Sequence, residues 1–218
     1  MSQLKDYLKL LAEFPWLVEN ESAPIKIVTD ADEIQAWSKK NATALGILLQ
    51  DKYITVLRDL VVFPNDAIGG YNRIINSAAF NKGAKGVAIL PVFQSKILLM
   101  NIFRHPIRQW SIEIPRGFGE NHLPPRDIAA LEIKEEIGGE IAVMTDLGIV
   151  HSNSGLEGNE IHLFHAELES YGHPQTSEGI SDFELIHISK FEAMIAETKI
   201  TDGFTISAYT RAKLKGFL

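Results

Sequence analysis

Near the start of the chain, apolar residues recur every three or four positions. Leu4, Leu8, Leu11 and Phe14 predict an amphipathic helix over 3–15. Asp30 and Glu33 form a capping-box pair that predicts a second helix over 31–40. The period then shortens. Segments 44–50, 53–63 and 69–76 read as strands, with a turn at 64–66. From Lys85 the apolar runs become denser. Segments 86–93 and 96–103 flank Gln94-Ser95 and predict a hairpin, and 110–115 alternates like a half-buried strand. Pro124 and Pro125 suit the first turn of a helix that runs to about Ile137 and stops at Gly138-Gly139. Strands follow near 141–150 and 159–168, then a loop over 171–179 and a strand over 180–188. Two helices close the chain, with Ser189 and Asp202 as expected caps.

Strands with a few interspersed helices predict an α+β fold built on a mixed sheet, preceded by a small N-terminal α/β unit. The division falls at 1–79 and 80–218. No Gly/Ser/Pro-rich linker separates the two, so they are expected to pack together, and there is no internal repeat.

Composition narrows the function. The chain has 218 residues, 45% of them hydrophobic, enough for a sizeable core. Lys and Arg total 21 against 28 Asp and Glu, a net charge of −7. Nucleic acid is therefore not the expected partner, because a duplex binder carries a basic surplus or stripe. With no cysteine, thiolate nucleophiles, disulfides and zinc–sulfur sites are excluded. Charges interrupt the N-terminal segment as Lys5, Asp6, Lys9 and Glu13, and no apolar run is long enough to span a bilayer. A cytoplasmic protein without a membrane partner is the expectation.

The segment 117–139, GFGENHLPPRDIAALEIKEEIGG, is the most informative. On its predicted helix Glu132, Glu135 and Glu136 share one face at i, i+3 and i+4, while Ala130, Ile133 and Ile137 form an apolar stripe. Three carboxylates on one face repel, and a hard cation would relieve them. A solvated acidic face is the alternative. Sharp helix ends, set by glycines before and after, favour the cation.

This segment resembles the Nudix box, G-x5-E-x7-R-E-U-x-E-E-x-G-U, at Gly117, Glu132, Ile133, Glu135, Glu136 and Gly138. The strands leading into it (GVAILPVF, ILLMNIFRHP, WSIEIPRG) and the later segments resemble ADP-ribose pyrophosphatases over 69–218. The resemblance implies an α/β/α sandwich-like Nudix fold. It implies a magnesium-dependent pyrophosphohydrolase, with manganese as an alternative metal. The substrate would be ADP-ribose or a related nucleotide sugar, cut to a nucleoside monophosphate and a sugar phosphate. It also implies a homodimer in which the N-terminal unit serves dimerisation and contributes to the substrate site.

Site residues follow from the same resemblance. Glu132, Glu136 and the backbone carbonyl of Arg116 match metal ligands, and Glu135 matches the third carboxylate of the box. Glu178, in a Gly/Pro-containing loop, is the candidate catalytic base and a further metal ligand; an ordinary loop glutamate is the other reading. Arg104 and Arg73 are candidates for a substrate phosphate, with surface ion pairs as the alternative. Glu113 and Phe118 are candidates for base or ribose, and Glu160 for a position near the metals. His162 and His165 read as sheet residues.

Three box positions depart: Leu123 replaces the first Glu, Leu131 the Arg, and Gly139 the final aliphatic residue. Because acid and base are both lost, the leucines are expected to pack on each other and hold the junction. Ser152-Asn153-Ser154-Gly155 lacks the proline of the related S-P-G-like turn, which widens the choice of substrate. A Nudix domain of low or no activity, acting as a nucleotide-sugar sensor, is the alternative function.

Overall fold

A computed structural model describes residues 2–82, 85–119, 123–173 and 179–218. The chain divides into an N-terminal unit, Met1–Gly83 with Asn153–Gly158, and a larger unit, Ala84–Ser152 with Asn159–Leu218.

The N-terminal unit contains helix α1 (Ser2–Glu13), a single 3-10 turn at Pro15–Leu17, strand β1 (Lys26–Ile27) and helix α2 (Ala31–Asn41). Strands β2 (Gly46–Gln50), β3 (Ile54–Val62) and β4 (Ile68–Asn76) and the short helix α3 (Ala78–Lys82) complete it. Asp30 caps α2 by accepting the Glu33 N–H at 2.8 Å, as the capping-box spacing predicts. Central β3 pairs antiparallel with β4 along one edge and with β1 and β2 along the other. Leu10, Leu11, Ile34, Leu57, Leu60 and Ile75 form the core. Segment 153–158 joins this unit through β4, where Ile74 N–H donates to Leu156 O and Gly158 N–H to Ile74 O.

In the larger unit, β5 (Gly86–Phe93) and β6 (Lys96–Arg104) meet at Gln94-Ser95. Both turn residues have positive φ (48° and 60°), the turn that matches strand twist in a two-residue hairpin. The remaining strands are β7 (Gln109–Glu113), β8 (Arg116–Phe118), β9 (Glu140–Val150), β10 (Ile161–Ser170) and β11 (Ile180–Ile186). The sheet order is β11-β6-β5-β10-β9, with β7 added to β6 and β8 to β5. Among the described residues, β5 and β10 pair in parallel and the other pairs of this sheet are antiparallel. Alternate strand residues feed two cores. Val87, Ile89, Met100 and Phe164 pack with helix α4 (Pro125–Ile137), while Ala88, Leu90, Leu99 and Leu163 pack with α5 (Ile188–Ala196) and α6 (Gly203–Leu214). The mixed sheet thus lies between helices on both faces, the α/β/α arrangement expected from the sequence.

Several local expectations shift. The buried stripe of α4 is Ile128, Ala129, Ile133 and Ile137, and Ala130 faces outward. Helix α5 begins at Ile188 after His187, so Ser189 lies inside it and caps nothing. The glycine-rich stretch before α4 is partly strand, because Arg116–Phe118 finds partners in Gly86–Ala88.

Candidate active site

The site forms where the sheet forks. Strands β5 and β6 pair only beside their turn, at Val92↔Ile97 and Phe93↔Lys96. Farther on, β6 takes β7 as its partner and β5 takes β8. The chain crosses this fork at Ile114-Pro115. Proline has no N–H for a ladder, and its carbonyl accepts Ile89 N–H at 2.9 Å. The crossing leaves Glu113 on the β6 side and Arg116 on the β5 side.

Helix α4 lies across this junction. Glu136, 3% exposed, accepts the Arg116 N–H at 2.9 Å. At Gly117 a Cβ would fall 1.8 Å from Glu132 Oε1, so only glycine allows that carboxylate to lie there. Two carboxylates one helical turn apart therefore close on two successive backbone residues. Gly138, with φ 59°, ends α4 in the left-handed cap. Glu135 is exposed.

On the other side of Arg116 is an ionic network. Glu113, 2% exposed, accepts from Arg104 Nε (2.9 Å) and Nη2 (2.6 Å) and pairs with Arg116 Nη2 at 2.9 Å. Arg116 Nη1 reaches Asp202 at 3.1 Å, and its guanidinium lies 5.1 Å from the Phe204 ring centroid. Asp202 also caps α6, accepting the Thr205 N–H (2.8 Å) and hydroxyl (2.7 Å). Thr205 Oγ1 in turn accepts the Ile114 N–H at 3.1 Å. The sequence marks Asp202 as a cap, but nothing in its spacing marks the grip on Arg116.

The other expected residues have partners of their own. Phe118 packs its ring over Gly86, where a Cβ would come within 3.2 Å of it. Glu160 bonds Lys85 Nζ at 2.9 Å, and this bond holds its carboxyl below the usual carboxylate range. Arg73 belongs to the N-terminal unit, donating to Leu17 O (2.8 Å) and Asp59 Oδ1 (3.0 Å). Glu178 lies outside the described residues. His162 and His165 are residues of β10. Leu123 and Leu131, 39% and 47% exposed, line one open groove with Asp127 and Lys134. Concavity alone does not mark the site. A groove of about 540 Å³ between α1 and α2 offers only Lys5 and Asp32 as charges.

Among the described residues, no three acids or histidines gather closely enough to make a ready metal cage. The donors that do converge are carboxylate oxygens beside a backbone turn, which suit magnesium rather than a soft metal. Glu132 and Glu136 fit such an ion in kind and are the side chains that would hold it.

No family model matches the chain. An ADP-ribose pyrophosphatase of Haemophilus influenzae is 27% identical over 194 residues, 80% of this chain and 87% of the relative. An ADP-ribose pyrophosphatase of Bacillus subtilis is 32% identical over 82 residues, 37% of this chain and 44% of the relative. A methanol dehydrogenase activator of Bacillus methanolicus is 29% identical over 135 residues, 59% of this chain and 72% of the relative. The crystal structure of an ADP compounds hydrolase superposes with a TM-score of 0.66 at 14% identity, over 80% of this chain and 95% of that one. At that identity the superposition speaks for the fold.

Proposed function

We propose that this chain, a Nudix protein of the ADP-ribose pyrophosphatase-like kind, hydrolyses the diphosphate of ADP-ribose or a related nucleotide sugar. The products are a nucleoside monophosphate and a sugar phosphate. The observation that carries the reading is the closure of Glu132 and Glu136 on the Arg116-Gly117 backbone. The two ADP-ribose pyrophosphatases among its relatives support it.

In this reading Glu132, Glu136 and the Arg116 carbonyl hold magnesium or manganese, joined by Glu135 and Glu178. The metal, when bound, neutralises phosphate charge and lowers the pKa of an attacking water. The chain's own residues place the reactants. Arg104 has Nε and Nη2 fixed on Glu113, which orients the remaining edge of its guanidinium toward a phosphate. The burial of Glu113 keeps that pair from rotating, and pre-set geometry of this kind lowers the barrier to in-line attack. Glu178 is the proposed base.

The proposal includes a cytoplasmic homodimer. No described helix is long and apolar enough to cross a membrane. Light scattering would read the dimer.

The test is a nucleotide-sugar panel with magnesium or manganese, read by phosphate release after phosphatase coupling. ADP-ribose is expected to turn over, and activity is expected to vanish when the metal is chelated. The sensor reading is motivated by the two altered box positions, Leu123 and Leu131. It predicts that ADP-ribose binds without turnover at any magnesium concentration.

A further inference from the structure

We propose that Asp202 is a positioning residue for the carboxylate site, acting through Arg116 from the opposite face of the sheet. The inference rests on the proposed hydrolysis and names the residue that holds its metal-binding junction in register. The junction Glu113–Gly117 is a crossing between two strands, and its only proline removes a ladder donor. Sheet pairing holds the two ends of the crossing, Glu113 on Met100 and Arg116-Gly117 on Ala88 and Val87, and leaves the Ile114 N–H and the Arg116 side chain to partners outside the sheet. The first turn of α6 supplies three attachments: Asp202 on Arg116 Nη1, the Phe204 ring beside the guanidinium, and Thr205 Oγ1 on the Ile114 N–H.

Arg116 joins the two sides. Its side chain is shared between Asp202 and Glu113, while its backbone N–H meets Glu136. Asp202 is 8% exposed in its side chain, and Thr205 is fully buried. A buried carboxylate with a guanidinium and two further donors has one well-defined position. The cap of the last helix therefore anchors, through the Arg116 side chain, a backbone that the β5 ladder pairs from the other side, and so steadies the place where Glu132 and Glu136 meet it. A helix cap alone does not need a charge, since serine caps as well as aspartate. What aspartate adds is the ion pair with Arg116.

Two substitutions separate these roles. Asp202→Ser keeps a cap and removes the charge; Asp202→Asn keeps the shape but has one acceptor oxygen to divide between Arg116 and the cap. Each would be compared with wild type by manganese affinity from electron paramagnetic resonance, by kcat and KM for ADP-ribose, and by melting midpoint. For Asp202→Ser, manganese affinity and kcat are expected to fall roughly 10–100-fold, with KM moving far less and the midpoint close to wild type. Asp202→Asn is expected to fall between the two. Unchanged manganese affinity and kcat in both variants would overturn the inference while leaving hydrolysis intact. The same holds if the variants lose melting temperature alone. A wild-type protein that neither binds manganese nor cleaves any nucleotide sugar would overturn the proposed function and this inference together.

Discussion

Each unit of this chain buries a carboxylate and grips it with arginine. In the N-terminal unit Asp59, 1% exposed, takes the Tyr7 hydroxyl at 2.7 Å and Arg73 at 3.0 Å, and Arg73 turns its remaining reach on the Leu17 carbonyl. Burial first, then the Asp59 charge, pushes the Tyr7 hydroxyl up, so it stays a neutral donor. Among the described residues, the contacts of that cluster join Tyr7, Leu17, Asp59 and Arg73, all of the N-terminal unit. In the larger unit Glu113 is as deeply buried, yet it is divided between two arginines, and one of these goes on to Asp202 and, through its backbone, to Glu136. The first cluster bolts strands to a helix. The second leads to a pair of acids at a strand crossing. Exposure does not separate them, because Arg73, Arg104 and Arg116 are 23%, 27% and 24% exposed. What differs is whether the network ends in the core or at further carboxylates.

Substitutions should divide along that line. Asp59→Ala strands a tyrosine hydroxyl and a guanidinium in the interior. It is expected to cost about 3–5 kcal/mol of stability, read by urea denaturation. A loss below 1 kcal/mol would mean the cluster is not a bolt. Glu136→Gln should do the reverse. Turnover of ADP-ribose is expected to fall beyond the roughly 10–100-fold typical of residues that only support metal ligands, with the fold retained. Wild-type turnover in that variant would remove Glu136 from the site.

The smallest effect concerns His165, which lies outside both clusters. It is 1% exposed and stacks on Phe217 with ring centroids 5.5 Å apart. Burial holds its pKa below the ordinary histidine value. The unfolded chain therefore takes up this proton first as the pH falls. The stabilising contribution is complete above about 6.5 and declines below that toward the lowered folded value. Melting midpoints between pH 7.5 and 5 should show this decline, and His165→Phe should flatten it. Equal slopes for the two proteins would assign the decline to other groups.

Much of this was legible in the chain because it is local. The 3.6-residue spacing placed Glu132, Glu135 and Glu136 on α4, Gly138 marked its end, and Asp30 and Asp202 marked two helix starts. What escaped depends on distant partners. Segment Arg116–Phe118 is a strand only because β5 lies beside it. The inward face of α4 includes Ala129 rather than Ala130, because the sheet, not the helix, decides which side is covered. The link from Asp202 to Arg116 spans 86 positions. Arg73 and Asp59 are diagonal neighbours across β3 and β4, a pairing that appears once the register Leu57↔Arg73 is known.

The most direct measurement is a manganese-soaked crystal read by anomalous scattering. The account predicts a peak bounded by the Glu132 and Glu136 carboxylates and the Arg116-Gly117 backbone. A crystal with manganese bound elsewhere, and with those two side chains turned into solvent, would contradict it.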